Sequence, residues 1–118
     1  MDIIITIPKY VDWCEYAKEL KMVEDRSQTM LFKVPHLPKK TSVGDVCYLC
    51  YRGYIIGWMY ITYLGFVEGF ECTVTGKPWP AGNYIGRSGY FHAIRPIPYK
   101  GFQGFRYAPK ESENWRIL

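Results

Sequence analysis

The sequence predicts an α+β fold, a small barrel of short strands with one helix near its N-terminus. Three observations point there. The chain has 118 residues, enough for a single domain spanning 1–118 with its own core, and too few for a Rossmann pair or a TIM barrel. Aromatic residues make up 18% of it, 11 Tyr, 6 Phe and 4 Trp, and these side chains favour pleated strands and stacking surfaces. Apart from one stretch of helical periodicity, the apolar runs are short, β-rich and punctuated by Gly and Pro. A 48% hydrophobic and 22% charged composition excludes a disordered chain.

The elements follow in order. Asp2 to Ile7 is a β-rich run closed by Pro8. Val11, Cys14, Tyr16, Ala17 and Leu20 then recur at three- and four-residue spacing, with Asp12, Glu15, Lys18, Glu19 and Lys21 between them. That pattern predicts an amphipathic helix from Tyr10 to Val23, ended by the polar turn 24–27. Met30–Val34 reads as a second strand. Pro35 and Pro38 make the next segment an exposed connection, because each lacks a donor and fixes φ. Val43-Gly44-Asp45 turns into Val46–Tyr51, and Arg52-Gly53 links that run to Tyr54–Leu64 as a hairpin. Gly57 inside the second run predicts a bulge or sharp bend. Phe66–Val74 is a further strand region with a turn at Glu68-Gly69, and 75–83 is a long loop. Tyr84–Ile94 is strand-like, Pro96 and Pro98 interrupt, Gly101–Tyr107 is the last strand, and a polar tail from Pro109 carries Trp115 as an anchor.

The apolar run at the N-terminus has no basic residues before it and falls far short of the ~20 residues that span a bilayer. The expectation is a cytoplasmic protein without a membrane partner, whose four cysteines are thiols. Cys47 and Cys50 form a Cys-x-x-Cys pair. Three residues apart on a strand, they point to opposite faces, so the expected reading is two buried small residues and no metal site. No cofactor is implied.

The Val43-Gly44-Asp45 turn opens a hairpin, Asp45-Val46-Cys47-Tyr48-Leu49 returning through Gly53-Tyr54-Ile55-Ile56-Gly57. A strand and a helix precede it, and Gly104-Phe105-Arg106-Tyr107 follows as a closing strand. This order resembles the PUA-like superfamily of PUA, ASCH and EVE domains. The resemblance covers most of the chain through short motifs. It implies a mostly antiparallel pseudobarrel that binds RNA, or a modified base or nucleotide, in a cleft near the helix. Some ASCH-type members are amidohydrolases acting on acetylated cytidine, with a Lys, a Thr and a Glu in the cleft. The residues of those types at comparable places are Lys33, Lys40, Thr41 and Glu71. The family's Lys with Thr three residues later is not reproduced, since His36 stands three residues after Lys33.

The charge is divided unevenly. Residues 1–75 sum to −1 and residues 76–118 to +5, and from Lys77 to Lys110 there are six basic residues and no acidic one. Aromatics alternate with those bases. Cations track phosphates, and aromatic faces stack on unpaired bases for ~1–3 kcal/mol each. The expected nucleic-acid-binding residues are Lys77, Trp79, Tyr84, Arg87, Arg95 and Arg106. In particular, a cleft lined by Trp79, Tyr84 and Arg87 is expected, with Arg95 and Arg106 near its mouth. Trp79, stiffened by Pro78 and Pro80, is the preorganised stacking candidate, and Arg87 beside Gly86 is a phosphate contact. Trp58 and Tyr60 read as core or barrel lining, and His92 as a satisfied core histidine. Three functional readings stand side by side: an RNA- or modified-base-binding module, a small amidohydrolase acting on a modified nucleoside, and a protein-interaction module forming a homodimer through exposed Tyr and Trp.

Overall fold

The computed structural model describes residues 1–26, 28–71 and 76–118. Its elements are β1 (Ile3–Ile7), α1 (Trp13–Arg26), β2 (Thr29–Val34), β3 (Val46–Tyr51), β4 (Tyr54–Val67), β5 (Phe70–Glu71), β6 (Pro78–Trp79), β7 (Gly82–Pro98), β8 (Phe105–Tyr107) and α2 (Ser112–Trp115). Six strands form one curled, half-barrel sheet in the order β2-β7-β4-β3-β1-β8, while β5 and β6 pair separately. β1 and β3 run parallel and the other neighbours antiparallel. The fold is thus α+β and barrel-like. Among the described residues no helix is long and apolar enough to cross a membrane.

β1 and β3 are apolar almost without alternation because the sheet is covered on both faces where they lie. Ile3, Ile5, Ile7, Cys47 and Leu49 face one side, where they pack with Leu20 and Val23 of α1 and with Met59, Ile61 and Ile85. Ile4, Val46, Tyr48 and Cys50 face the other, with Ile55, Trp58, Ile94 and Trp115. Strand alternation therefore sends the two thiols of the Cys-x-x-Cys pair into different clusters, as expected of them.

The C-terminal segment covers the second face, and it does so as more than a polar tail. Trp115 meets the Tyr48 ring edge-on at 5.1 Å, and the Tyr48 hydroxyl donates to the Ser112 carbonyl at 2.7 Å. Arg116 donates to that hydroxyl at 3.1 Å and also pairs with Asp2. Pro35–Lys40 joins the two edges of the open sheet. The Asn83 amide donates to the Pro35 carbonyl, the His36 ring meets Phe105 at 5.5 Å, and the Lys40 N–H donates to the Tyr107 hydroxyl at 3.1 Å.

Several boundaries differ from expectation for local reasons. α1 starts at Trp13, not Tyr10, because Asp12 caps it. The Asp12 carboxylate accepts from the Cys14 N–H at 3.0 Å and its carbonyl from the Tyr16 N–H at 3.0 Å. It runs on to Arg26, where Lys21 pairs with Glu24 and Asp25; the expected turn residue Ser27 lies outside the described residues. Phe66 and Val67 prolong β4. The expected strand to Val74 is described only as far as Glu71, and residues 72–75 lie outside. Pro78–Trp79 is a short strand on Phe70–Glu71 rather than loop. β7 continues through Pro96 and Pro98, since β2 pairs only with residues 83–88. Beyond Ser88 one side of β7 is an edge that needs no donor. Only Phe105–Tyr107 of the last strand is paired; the Phe102 N–H is drawn off to the Thr6 hydroxyl at 3.2 Å. Tyr60 is exposed. His92 is likewise exposed rather than in the core, lying flat on Trp58 at 3.9 Å on the outer face of β4 and β7.

The hairpin turn and the bulge behave as the glycines suggest. Arg52 and Gly53 have φ of 49° and 86°, the pair of positive values that a two-residue hairpin of the favoured twist requires. Arg52 is held there by bonds from its guanidinium to the Lys9 carbonyl. Leu49 lies opposite Gly57 and Cys50 opposite Ile55, so Ile56 is the extra residue of a bulge. At Gly57, β4 and β7 approach so closely that a Cβ would stand 2.4 Å from the Phe91 ring and 2.6 Å from the His92 carbonyl. Gly57→Ala is therefore expected to destabilise the chain by about 1–3 kcal/mol through overpacking, read as a lower urea midpoint at unchanged slope.

Candidate functional site

One cavity of about 440 Å³ opens between α1, β2 and β7. The end of β1 and the turn after it supply Ile7, Pro8 and Val11. α1 supplies Tyr16, Glu19 and Val23, which share one helix face at i, i+3 and i+7. Met30, Leu31 and Phe32 come from β2 with Gln28 and Thr29 before them, Glu71 and Trp79 come from β5 and β6, and Arg87 comes from β7. Most of this wall is apolar. Such a cavity with a few convergent polar groups is the usual form of a small-ligand site.

Arg87 is the unusual member. It shares a strand face with Ile85, so alternation points it inward, and it is only 2% exposed. One guanidinium nitrogen donates to the Tyr16 hydroxyl at 3.0 Å. Its Nε–H finds no acceptor among the described residues, and no described carboxylate forms an ion pair with it. Burial works against the charge, but Tyr16 and Glu19 favour it, and the net direction of the arginine pKa is upward. A buried donor without an acceptor costs roughly 1–3 kcal/mol. The site can therefore hold a ligand that brings an acceptor to Arg87, with apolar and aromatic surface around it. Burial also raises the Glu19 carboxyl above its ordinary value of 4.5; Glu15 adds to this and Arg87 opposes it.

Of the six residues expected to bind nucleic acid, Trp79 and Arg87 meet in this cavity. Arg87 is a buried floor residue there, not the surface phosphate contact its Gly-rich surroundings suggested. Tyr84 is fully buried behind Trp79, the rings 5.8 Å apart, and its hydroxyl donates to the Pro80 carbonyl at 2.7 Å. It braces the Trp79 strand and does not line the cavity. Lys77 is exposed next to that strand. Arg95 is exposed further along β7, outside the cavity wall. Arg106 lies on β8 at a separate groove with Lys39 and Lys40, its side chain turned to the other face of the strand.

The catalytic candidates do not converge. Glu71 lines the cavity, Lys33 lays its stem over Gly82, and Lys40 belongs to the groove. Thr41 is buried and donates to the Met1 carbonyl at 2.6 Å. No lysine is among the described residues of the cavity wall. Sequence reasoning passed over Tyr16 and Glu19, placing one in the helix core face and the other on its surface. Their three-residue spacing, continued to Val23, was the available signal. No family model, curated protein or solved structure matches the chain.

None of the described thiols lines this cavity, and Cys72 lies outside the described residues. Burial pushes Cys47 up to about 12 and raises Cys50 as well, whereas Cys14 is exposed on α1. A maleimide at neutral pH is expected to modify Cys14 in the native chain and to reach Cys47 and Cys50 only after unfolding, as peptide mass mapping will show. Glu19 has its own signature. The folded chain holds its proton more tightly than the unfolded chain, so ionisation works against the fold. The cost is absent well below the ordinary glutamate pKa and grows as pH rises through the raised value. Glu19→Gln is expected to melt above the parent at neutral pH and level with it in acid. A constant offset across pH would contradict this.

Proposed function

We propose that the chain is a nucleic-acid-binding module of the PUA-like kind, which takes one unpaired or modified base into the cavity between α1 and the sheet. The observation that carries this reading is Arg87: a buried cation whose Nε–H has no acceptor among the described residues, in a mostly apolar cavity that Trp79 also lines. A base is a flat apolar body with carbonyl and ring-nitrogen acceptors on its edge. Arginine reads such edges through parallel N–H groups, and a carboxylate accepts from exocyclic amines. Arg87 on one hand and Glu19 and Glu71 on the other offer both halves of that pattern. Trp79 supplies a face for stacking, as single-stranded RNA is commonly held. The hydrolase reading has less support, because of Lys33, Lys40, Thr41 and Glu71 only Glu71 is in the cavity wall.

The test is fluorescence anisotropy with a labelled single-stranded RNA of about twelve nucleotides, within the span one small domain covers. Arg87→Met keeps the length and removes the donors. It is expected to weaken binding about tenfold or more, the worth of ~1.5–3 kcal/mol for a hydrogen bond from a charged donor, while the melting temperature holds or rises. Trp79→Ala is expected to lose ~1–3 kcal/mol of binding. Unchanged affinity in a folded Arg87→Met variant defeats the reading.

A further inference from the structure

A second concavity, of about 570 Å³, lies where Pro35–Lys40 crosses to β8. Its wall is His36, Leu37, Lys39 and Lys40 from the crossing segment and Phe105, Arg106 and Tyr107 from β8. Two lysines and a histidine face it, and no described carboxylate lines it. Lys39 and Lys40 are exposed, and neither forms an ion pair with a described carboxylate. Asp45, the acidic residue closest in sequence after Lys40, is committed to the Met1 amine and the Ser42 N–H, each at 2.9 Å. The groove is also shaped. Its walls are tied by the bond from the Lys40 N–H to the Tyr107 hydroxyl and by the His36–Phe105 contact. Arg106 pairs with Ile4 and so points to the opposite face of β8 from Phe105 and Tyr107, its guanidinium 4.6 Å from the centre of the Phe102 ring there; the cations that face the groove are Lys39 and Lys40.

This groove and the cavity are close. Phe32 is in the cavity wall and His36 in the groove wall. Four residues of chain reach at most ~14 Å. A nucleic-acid strand places phosphates a few ångströms apart along its length.

We propose that the groove of Lys39 and Lys40 holds backbone phosphates of the same strand whose base enters the cavity, so that the ligand is a polynucleotide and not a free nucleoside. This rests on the reading of the cavity given above. Concentrated positive charge without internal neutralisation favours a polyanion. A narrow groove with its rings set into the walls, rather than projecting from them, suits a strand better than a flat lipid surface.

The experiment is a salt titration of the same RNA, from about 50 to 200 mM, on the full chain and its variants. The variant Lys39→Gln/Lys40→Gln removes two exposed charges. It is expected to lose about tenfold in affinity and to lower the slope of log affinity on log salt by about 1.4, since each phosphate contact on a single strand contributes about 0.7. Arg87→Met is expected to lose affinity with its slope unchanged. If the double variant does not fold, Lys39→Gln alone is read for a slope change of about 0.7. Parental affinity and slope in the groove variants overturn the groove while leaving the cavity reading intact. Loss in the double variant with none in Arg87→Met supports the groove and defeats the cavity reading. Failure of the parent to bind RNA, or binding instead to phosphatidylserine vesicles through the same two lysines, overturns the proposal.

Discussion

The parallel pair of β1 and β3 constrains everything else in this molecule. Ile3, Ile4, Ile5, Cys47, Tyr48, Leu49 and Cys50 are all fully buried, so the strands carrying them need cover on both faces of the sheet. α1 supplies it on one face through Leu20 and Val23. On the other, Trp115 and the residues before it do the same, fastened by the Tyr48 hydroxyl and by Arg116. At about 25 cal/mol per Å² of apolar surface removed from water, this two-sided burial is the principal stabilising contribution.

The cavity follows from where that cover ends. Leu20 and Val23 turn α1 into the core, and the helix then presents Tyr16 and Glu19 toward β2 and β7, with Arg87 beneath them. The sheet is curled by the bulge at Ile56 and by the close approach at Gly57. β2 consequently stands at an edge that no further strand closes, and the crossing segment 35–40 ties it to β8. Both concavities lie along that seam. An arginine buried to 2% exposure whose Nε–H has no acceptor among the described residues is poor material for a core, since a hydrophobic residue of similar volume would avoid its desolvation. It is good material for a site where a ligand supplies the missing acceptor.

Much of the fold was legible because it is written in short-range terms. The apolar runs of β1 and β3, the Arg52-Gly53 turn, the Gly57 bulge and the Tyr10–Val23 periodicity each act over a few residues, and each appears in the structure within a turn or so of its expected place. The exceptions were long-range. Pro96 and Pro98 are acceptable in β7 only because β2 stops pairing at Ser88. Trp115 is core only because Tyr48, 67 positions earlier, leaves a face to cover.

The same division holds for the site. Composition singled out the acid-free stretch from Lys77 to Lys110 and six residues within it, Trp79 and Arg87 among them with Lys77, Tyr84, Arg95 and Arg106, because charge and aromatic content are properties of residues wherever they fold. Which of those residues meet was decided by strand pairing. Register set Arg87 opposite Met30 and turned it inward, sent Tyr84 to the back of Trp79, left Arg95 on an outer edge and turned Arg106 to the opposite face of β8 from Phe105 and Tyr107. The sequence determines which side chains are available to bind an anion or a base. Only the tertiary structure decides which stand together, because side chains far apart along the chain are brought to one wall by hydrogen-bonded register and by nothing in their own neighbourhood.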